Sequence, residues 1–85
     1  PVATRSTQVV MDILTPEYER RLAAQGKAGA QQWIKGAARR VGDEMGRLRP
    51  EYLRRVQAEG RARADDWYMA QARLAGQHQV AASRR

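Results

Sequence analysis

The chain of 85 residues carries 16 basic and nine acidic side chains, a net charge of +7, with no cysteine and one histidine, His78. These totals exclude a disulfide framework, a thiolate metal site and a histidine metal cluster, and a domain this small buries only about 60 to 65% of the surface that its unfolded chain exposes. No apolar run approaches the roughly 18 residues of a membrane span and no signal-peptide pattern opens the chain, so we expect neither a membrane partner nor secretion through a signal peptide.

Residues 1–14 predict an extended arm or a short strand. PVATRSTQ is polar without a helical period, and TQVVMDIL alternates so that Val9, Met11 and Ile13 share one side. One isolated strand is not stable, so the arm must pair with a second copy, cross the helices or dock on a partner. Val9, Met11 and Ile13 are therefore candidate partner-binding residues.

Two long amphipathic helices are predicted after the arm, at about 16–45 and 50–75. Thr15, Pro16 and Glu17 form a helix start, because Thr can cap the helix and Pro has the φ angle of a first helical position. The stretch 46–50 supplies a break and a second Pro start, and Gly76 supplies a stop before a basic tail, 76–85. The predicted fold is all-α, with the two helices in an antiparallel hairpin that turns near Leu48.

One block of the sequence occurs twice. PEYERRLAAQGKAGAQQW, 16–33, returns 34 positions later as PEYLRRVQAEGRARADDW, 50–67, and ten of the 18 positions are identical. Tetratricopeptide repeats have this period, but their signature has the Trp before the Gly and Tyr, which is the reverse of the order here. At 100° per residue both copies place the same positions on an apolar face, and these are the predicted helix-packing residues: Tyr18, Leu22, Gly26, Trp33, Tyr52, Val56, Gly60 and Trp67.

The glycines leave an alternative open for the first helix. A glycine costs about 1 kcal/mol relative to alanine inside a helix, and Gly26, Gly29 and Gly36 all fall within it. Either helix packing offsets this cost, or the helix breaks near Gly26 and the chain forms a three-helix arrangement.

The N-terminal part of the chain resembles, in outline, a ribbon-helix-helix DNA-binding unit. The stretch STQVVMDILTPEYERRLAAQGKAGAQQWIKGAARR contains an alternating strand, a Pro-Glu helix start, a glycine turn and a second helix. The resemblance implies a dimer that pairs through the strand and reads the major groove with Thr7 or Gln8 together with Arg5.

Basic and aromatic residues supply further candidates. Fourteen of the 16 basic residues are Arg, which pairs bidentately with phosphate and carboxylate groups, although a composition bias toward Arg would produce the same count. Arg20, Arg21, Arg54 and Arg55 lie on the polar faces and are candidate phosphate contacts. Tyr68 lies off the apolar face, and Arg84 and Arg85 have no acidic neighbour, so these three join the partner-binding set.

We expect a non-enzymatic structural or assembly subunit, in the cytoplasm or within a viral or other multi-subunit particle. No residue set supplies a nucleophile, a base and an orienting group, and Asp65 and Asp66 are expected to be solubilising charges, so we expect no catalysis, no cofactor and no small-molecule substrate. The expected partner is a larger protein assembly or a second copy of the chain. The alternative is a small basic nucleic-acid-binding protein, and an acidic protein surface would satisfy the same charge.

Overall fold

The computed structural model describes all residues from 1 to 85, and its fold is entirely helical, which confirms the predicted all-α class. Helix α1 spans Val2–Arg47, α2 spans Arg49–Glu59 and α3 spans Arg61–Ser83. None of the three has an apolar stretch of the length that crossing a bilayer would need.

Gly26 divides α1 into two antiparallel segments, α1a (2–25) and α1b (27–47). A straight helix of this length would extend about 69 Å, whereas the longest dimension of the molecule is 47 Å. Gly26 has φ 84° and ψ 176°, a backbone region that essentially only glycine occupies. Leu14 of α1a therefore lies in one cluster with Ala37 and Val41 of α1b. Of the two alternatives for the first helix, the break near Gly26 is the one observed.

A second reversal occurs at Gly60, which has φ 92° and ψ 161°. After it α3 runs back along α2 and α1b, so that the Tyr68 hydroxyl donates to the carbonyl oxygen of Met45 at 3.4 Å. At Leu48, between α1b and α2, the backbone stays in the right-handed helical region and only kinks. The molecule is thus an up-down-up bundle of three legs, 2–25, 27–59 and 61–83. The period of the sequence repeat, in residues, equals the length of the middle leg plus one turn glycine.

Alanine dominates the core. Five alanines are completely buried, whereas Leu14 is the one large apolar residue in that state. The close approach of the legs is clearest at Gly76, where an added Cβ atom would lie 3.3 Å from Cγ2 of Ile13. Small side chains let the legs pack closely although the core contains few large ones. The five buried alanines are Ala30, Ala37, Ala64, Ala72 and Ala75.

The prediction of an extended arm at 1–14 is wrong, because these residues form the start of α1a. Ser6, Val10 and Leu14 are buried at a spacing of four residues, so the segment has a helical period that the alternating side chains conceal. A helix also satisfies its backbone hydrogen bonds internally, whereas a lone strand does not. The ribbon-helix-helix resemblance loses the strand on which it depends.

The predicted boundaries of the hairpin are also wrong. Pro16 lies inside α1a, and the Thr15 hydroxyl donates to the Met11 carbonyl oxygen at 2.6 Å instead of capping a helix start. The turn lies at Gly60 and not near Leu48. The last helix does not end at Gly76, because this glycine lies within α3 and packs closely against Ile13. Most of the predicted basic tail is therefore helical.

Replacing Gly26 or Gly60 with alanine is expected to lower the free energy of unfolding by about 1 to 3 kcal/mol, because a Cβ atom is strained at these backbone angles. Gly42→Ala is the matched control. Gly42 is helical, with open space around it, and the substitution should raise stability by up to about 1 kcal/mol. Urea unfolding followed by circular dichroism measures all three, and equal effects at the three positions would contradict the assigned turns.

Candidate binding surfaces

The first glycine turn is braced by an acid, two arginines and a tryptophan. Glu17 forms ion pairs with Arg20 and Arg21 one turn further along α1a. The guanidinium carbon of Arg21 lies 5.2 Å from the centre of the Trp33 ring on α1b, within the range of a cation–π contact. Arg21 therefore links the two segments on either side of Gly26.

The second glycine turn repeats these contacts in the second copy of the sequence block. Glu51 pairs with Arg54 at 2.6 Å and with Arg55 at 2.9 Å, and the Arg55 guanidinium carbon lies 4.5 Å from the centre of the Trp67 ring. Each copy of the repeated sequence block thus contains one chain reversal, at Gly26 or at Gly60, and the same side-chain contacts beside it.

The two acids differ in burial. The side chain of Glu17 is completely buried, because the end of α3 covers it: Ser83 donates from its hydroxyl at 2.9 Å and Arg84 donates from Nε at 3.2 Å. Hydrogen bonds, first from Arg20 and then from Ser83 and Arg84, lower the pKa of Glu17 from 4.5 to about 2 against the opposing effect of burial. Glu17 therefore fastens the C-terminal end of α3 to α1a.

Glu51 has no such cover, and its side chain is 35% exposed. The hydrogen bond from Arg54 is the main cause that lowers the pKa of Glu51 to about 2. In this copy a neighbouring residue makes the link to α3: the Tyr52 hydroxyl donates to Asp65 at 2.6 Å, and this hydrogen bond raises the pKa of Tyr52. Arg5 forms an ion pair with the same carboxylate at 3.2 Å. The sequence pattern alone presented Asp65 as a solubilising charge and did not indicate this link.

The four candidate phosphate contacts are all held by these carboxylates. Arg20 and Arg21 pair with Glu17, and Arg54 and Arg55 pair with Glu51. Their contact with phosphate stays a prediction, but part of their charge is already neutralised within the fold.

The predicted helix-packing residues divide into two groups. Trp33 packs against the core, while Tyr52, Val56 and Trp67 are half-buried in the hairpin of α2 and α3, and Tyr18 is half-buried on α1a. Three predicted packing positions lie elsewhere, because the chain turns where the sequence pattern predicted helix. Gly26 and Gly60 are exposed at the reversals, and Leu22 is exposed beside the first of them.

The predicted partner-binding residues are also redistributed. Tyr68 packs against the core, in line with Ala64 and Ala72 on one face of α3, so the expectation that it points outward is wrong. Ile13 packs on Gly76, and Val9 is half-buried.

Met11, Arg84 and Arg85 remain accessible. Met11 is 37% exposed and lines an apolar groove of about 310 Å³ between the start of α1a and the end of α1b. Arg84 and Arg85 are exposed, although Arg84 also binds Glu17.

The structure reveals a charge distribution that the sequence does not show directly. Contacts between the legs place residue 5 beside residue 65, residue 40 beside 79 and residue 17 beside 83. The end that contains Gly26, formed by 12–40 and 73–85, therefore holds nine basic and three acidic side chains. The opposite end, formed by 1–11 and 41–72, holds seven basic and six acidic side chains. We call these the basic half, with net charge +6, and the balanced half, with net charge +1.

No group of three or more His, Cys, Asp or Glu side chains is arranged to hold a metal ion. No protein-family model matches the sequence, and neither a curated protein nor a solved structure matches it. Function is therefore inferred from the geometry and charge of the chain's own residues.

Glu17→Gln is expected to lower the free energy of unfolding at neutral pH by roughly 2 kcal/mol, because the charged hydrogen bonds that Arg20 and Arg84 donate to a buried carboxylate are lost. Glu51→Gln, the matched control in the second turn, should have the smaller effect because its carboxylate is partly exposed. Urea unfolding followed by circular dichroism measures both, and a larger effect at Glu51 would contradict the assigned difference in burial.

The pH dependence provides an independent test. The folded pKa of Glu17 lies below the unfolded value, so its contribution is present above about pH 4.5 and is lost as the pH falls through 2. Between pH 5 and pH 2 the urea midpoint should thus fall less steeply in Glu17→Gln than in the wild type. Parallel profiles for the two proteins would contradict this role.

Proposed function

We propose that the chain is a non-enzymatic nucleic-acid-binding module that contacts phosphate groups through its basic half. The observation that carries the proposal is the separation of charge between the two ends of the bundle. A phosphate backbone is a dense, regular array of negative charge, and a concentrated positive surface at one end of an elongated molecule attracts it.

The cations of the basic half are available for such a partner. All three of its cations that form an ion pair, Arg20, Arg21 and Arg84, share the buried carboxylate of Glu17. The remaining six make no ion pair and are exposed. These six are Lys27, Lys35, Arg39, Arg40, Arg73 and Arg85.

The arrangement favours binding without sequence readout. The unpaired cations are distributed over α1b, α3 and the C-terminal residue, and neither helix projects from the bundle as a free recognition element would. Contacts of this kind go to the phosphate backbone and position a protein without reading bases. The helical start of the chain also removes the strand that a ribbon-helix-helix dimer would use.

Removal of three basic-half charges tests the proposal against a matched control. We expect Lys27→Gln, Lys35→Gln and Arg39→Gln, combined, to weaken duplex binding strongly and to reduce the slope of log K against log salt by about 0.9 for each phosphate that is no longer neutralised. The control combines Arg47→Gln, Arg49→Gln and Arg61→Gln, which removes the same charge from exposed, unpaired positions in the balanced half. Fluorescence anisotropy with a labelled 20-base-pair duplex, from 25 to 200 mM KCl, measures both.

The control triple should leave the slope nearly unchanged. Equal reductions in the two triples would show that only total charge matters and would contradict the assignment to the basic half. Absence of wild-type binding at 25 mM KCl would remove the proposal.

A second candidate is an assembly subunit within a protein complex or particle, which the apolar groove beside Met11 supports. Val10, Val41 and Met45 also line this groove. This candidate predicts self-association, or docking on a partner, that Met11→Glu abolishes while the fold is retained. Sedimentation velocity without nucleic acid tests the self-associating form.

A further inference from the structure

A polar cleft lies beside the first glycine turn, between the end of α1a and the outer side of α1b. It has a volume of about 310 Å³, and no carboxylate lines it. The side chains and glycines that shape it are Arg21, Gln25, Gly29, Trp33, Gly36 and Arg40. From this composition we infer that the cleft is a specific site for one phosphodiester group of a nucleic-acid strand, an inference that rests on the proposed function.

Two guanidinium groups lie along the cleft. Arg21 is held in place by Glu17, by the Ser83 carbonyl oxygen at 3.2 Å and by the ring of Trp33, so it presents a fixed orientation. Arg40 donates from Nε to Gln79 at 2.6 Å and has no carboxylate partner. Because Gln79 is neutral, Arg40 keeps its full charge, and a group held on one edge by a hydrogen bond is preorganised for an anion on the other.

Glycines form the floor of the cleft. The atoms nearest to an added Cβ at Gly29 belong to the side chain of Gln25, at 3.1 Å, and those nearest to one at Gly36 belong to Arg40, with Nη1 at 3.0 Å. Neither glycine has the left-handed backbone that a turn requires, and each costs helix stability. Their absence of side chains leaves room for Gln25 and Arg40 to lie across α1b.

The second copy of the repeated block provides an internal comparison. Its turn, its ion pairs and its Arg–Trp contact reproduce those of the first copy. Three of the positions that shape the cleft do not recur: Arg63 replaces Gly29, Ala70 replaces Gly36 and Leu74 replaces Arg40. The ion pairs and the Arg–Trp contact that build the scaffold are thus repeated, whereas the two cleft glycines and Arg40 occur once, in the basic half.

The size and donors of the cleft suit one unit of a nucleic-acid chain. A volume of about 310 Å³ is at the lower end of the range for small-ligand sites, which accommodates a phosphate group and part of its sugar. Guanidinium and amide N–H groups donate to phosphate oxygens, and the lack of a carboxylate removes the repulsion that would exclude an anion.

Arg40→Gln is the first test, with Arg73→Gln as its matched control. Arg73 is exposed, unpaired and in the basic half, but it lies outside the cleft. Anisotropy with a labelled 12-nucleotide oligothymidylate should show a loss of affinity of about tenfold for Arg40→Gln, as expected for a charged hydrogen bond. The loss for Arg73→Gln should be about threefold or less. Equal losses would overturn the site while leaving the proposed function in place.

Gly36→Ala is the second test, because it separates binding from stability. The added methyl group crowds Nη1 of Arg40, so the guanidinium must move away from the orientation that binds phosphate, and it also improves helix propensity. The variant should therefore have a higher Tm and a lower oligonucleotide affinity. Unchanged affinity in a folded variant would overturn the site.

Trp33 reports on the cleft directly. In a Trp67→Phe background the fluorescence of Trp33 should change on addition of the oligonucleotide and should stay unchanged with inorganic phosphate at the same ionic strength. A response to inorganic phosphate alone would overturn the assignment to a strand. If the wild type binds no oligonucleotide even at 25 mM KCl, the proposed function fails, and the site fails with it.

Discussion

The backbone conformation of two glycines determines the rest of this structure. Gly26 and Gly60 occupy a region that side chains make inaccessible, so the chain can reverse at these two positions without a loop. Because they are separated by one period of the sequence repeat, they define the length of the middle leg and hence the register of the other two. The burial of alanine in the second and third legs follows from this register, since each reversal brings adjacent legs into close contact.

The repeated block is best understood as a turn with its own bracing. The acid and two arginines precede each glycine, and the tryptophan that one arginine contacts follows it. The two copies can differ at positions that do not take part in the turn or its bracing contacts. Glu17 has become a buried attachment point for the end of α3, whereas the turn at Gly60 is secured through Tyr52 and Asp65.

The sequence was sufficient for the all-α fold class, but not for the connectivity, and it identified the buried face of the helices only in part, since Leu22 is exposed and Tyr68 packs against the core. A helix break at Gly26 could be anticipated from the cost of glycine, and the equivalent Gly60 follows from the repeat once the first break is accepted. The alternation of Val9, Met11 and Ile13 predicts a strand, whereas burial follows the helical spacing of Ser6, Val10 and Leu14. The cleft was beyond sequence reasoning, since Arg21 and Arg40 meet only after the chain has reversed.

A composition bias toward arginine does not account for the difference in charge between the two halves. The two halves hold similar numbers of basic residues, nine and seven, so a general excess of Arg is shared between them. The halves differ in their acidic residues: the basic half holds three and the balanced half six. One of the three in the basic half, Glu17, is buried. A surface from which acids are missing keeps its cations free of internal partners. That condition favours the binding of a polyanion and does not stabilise the fold, because like charges repel one another.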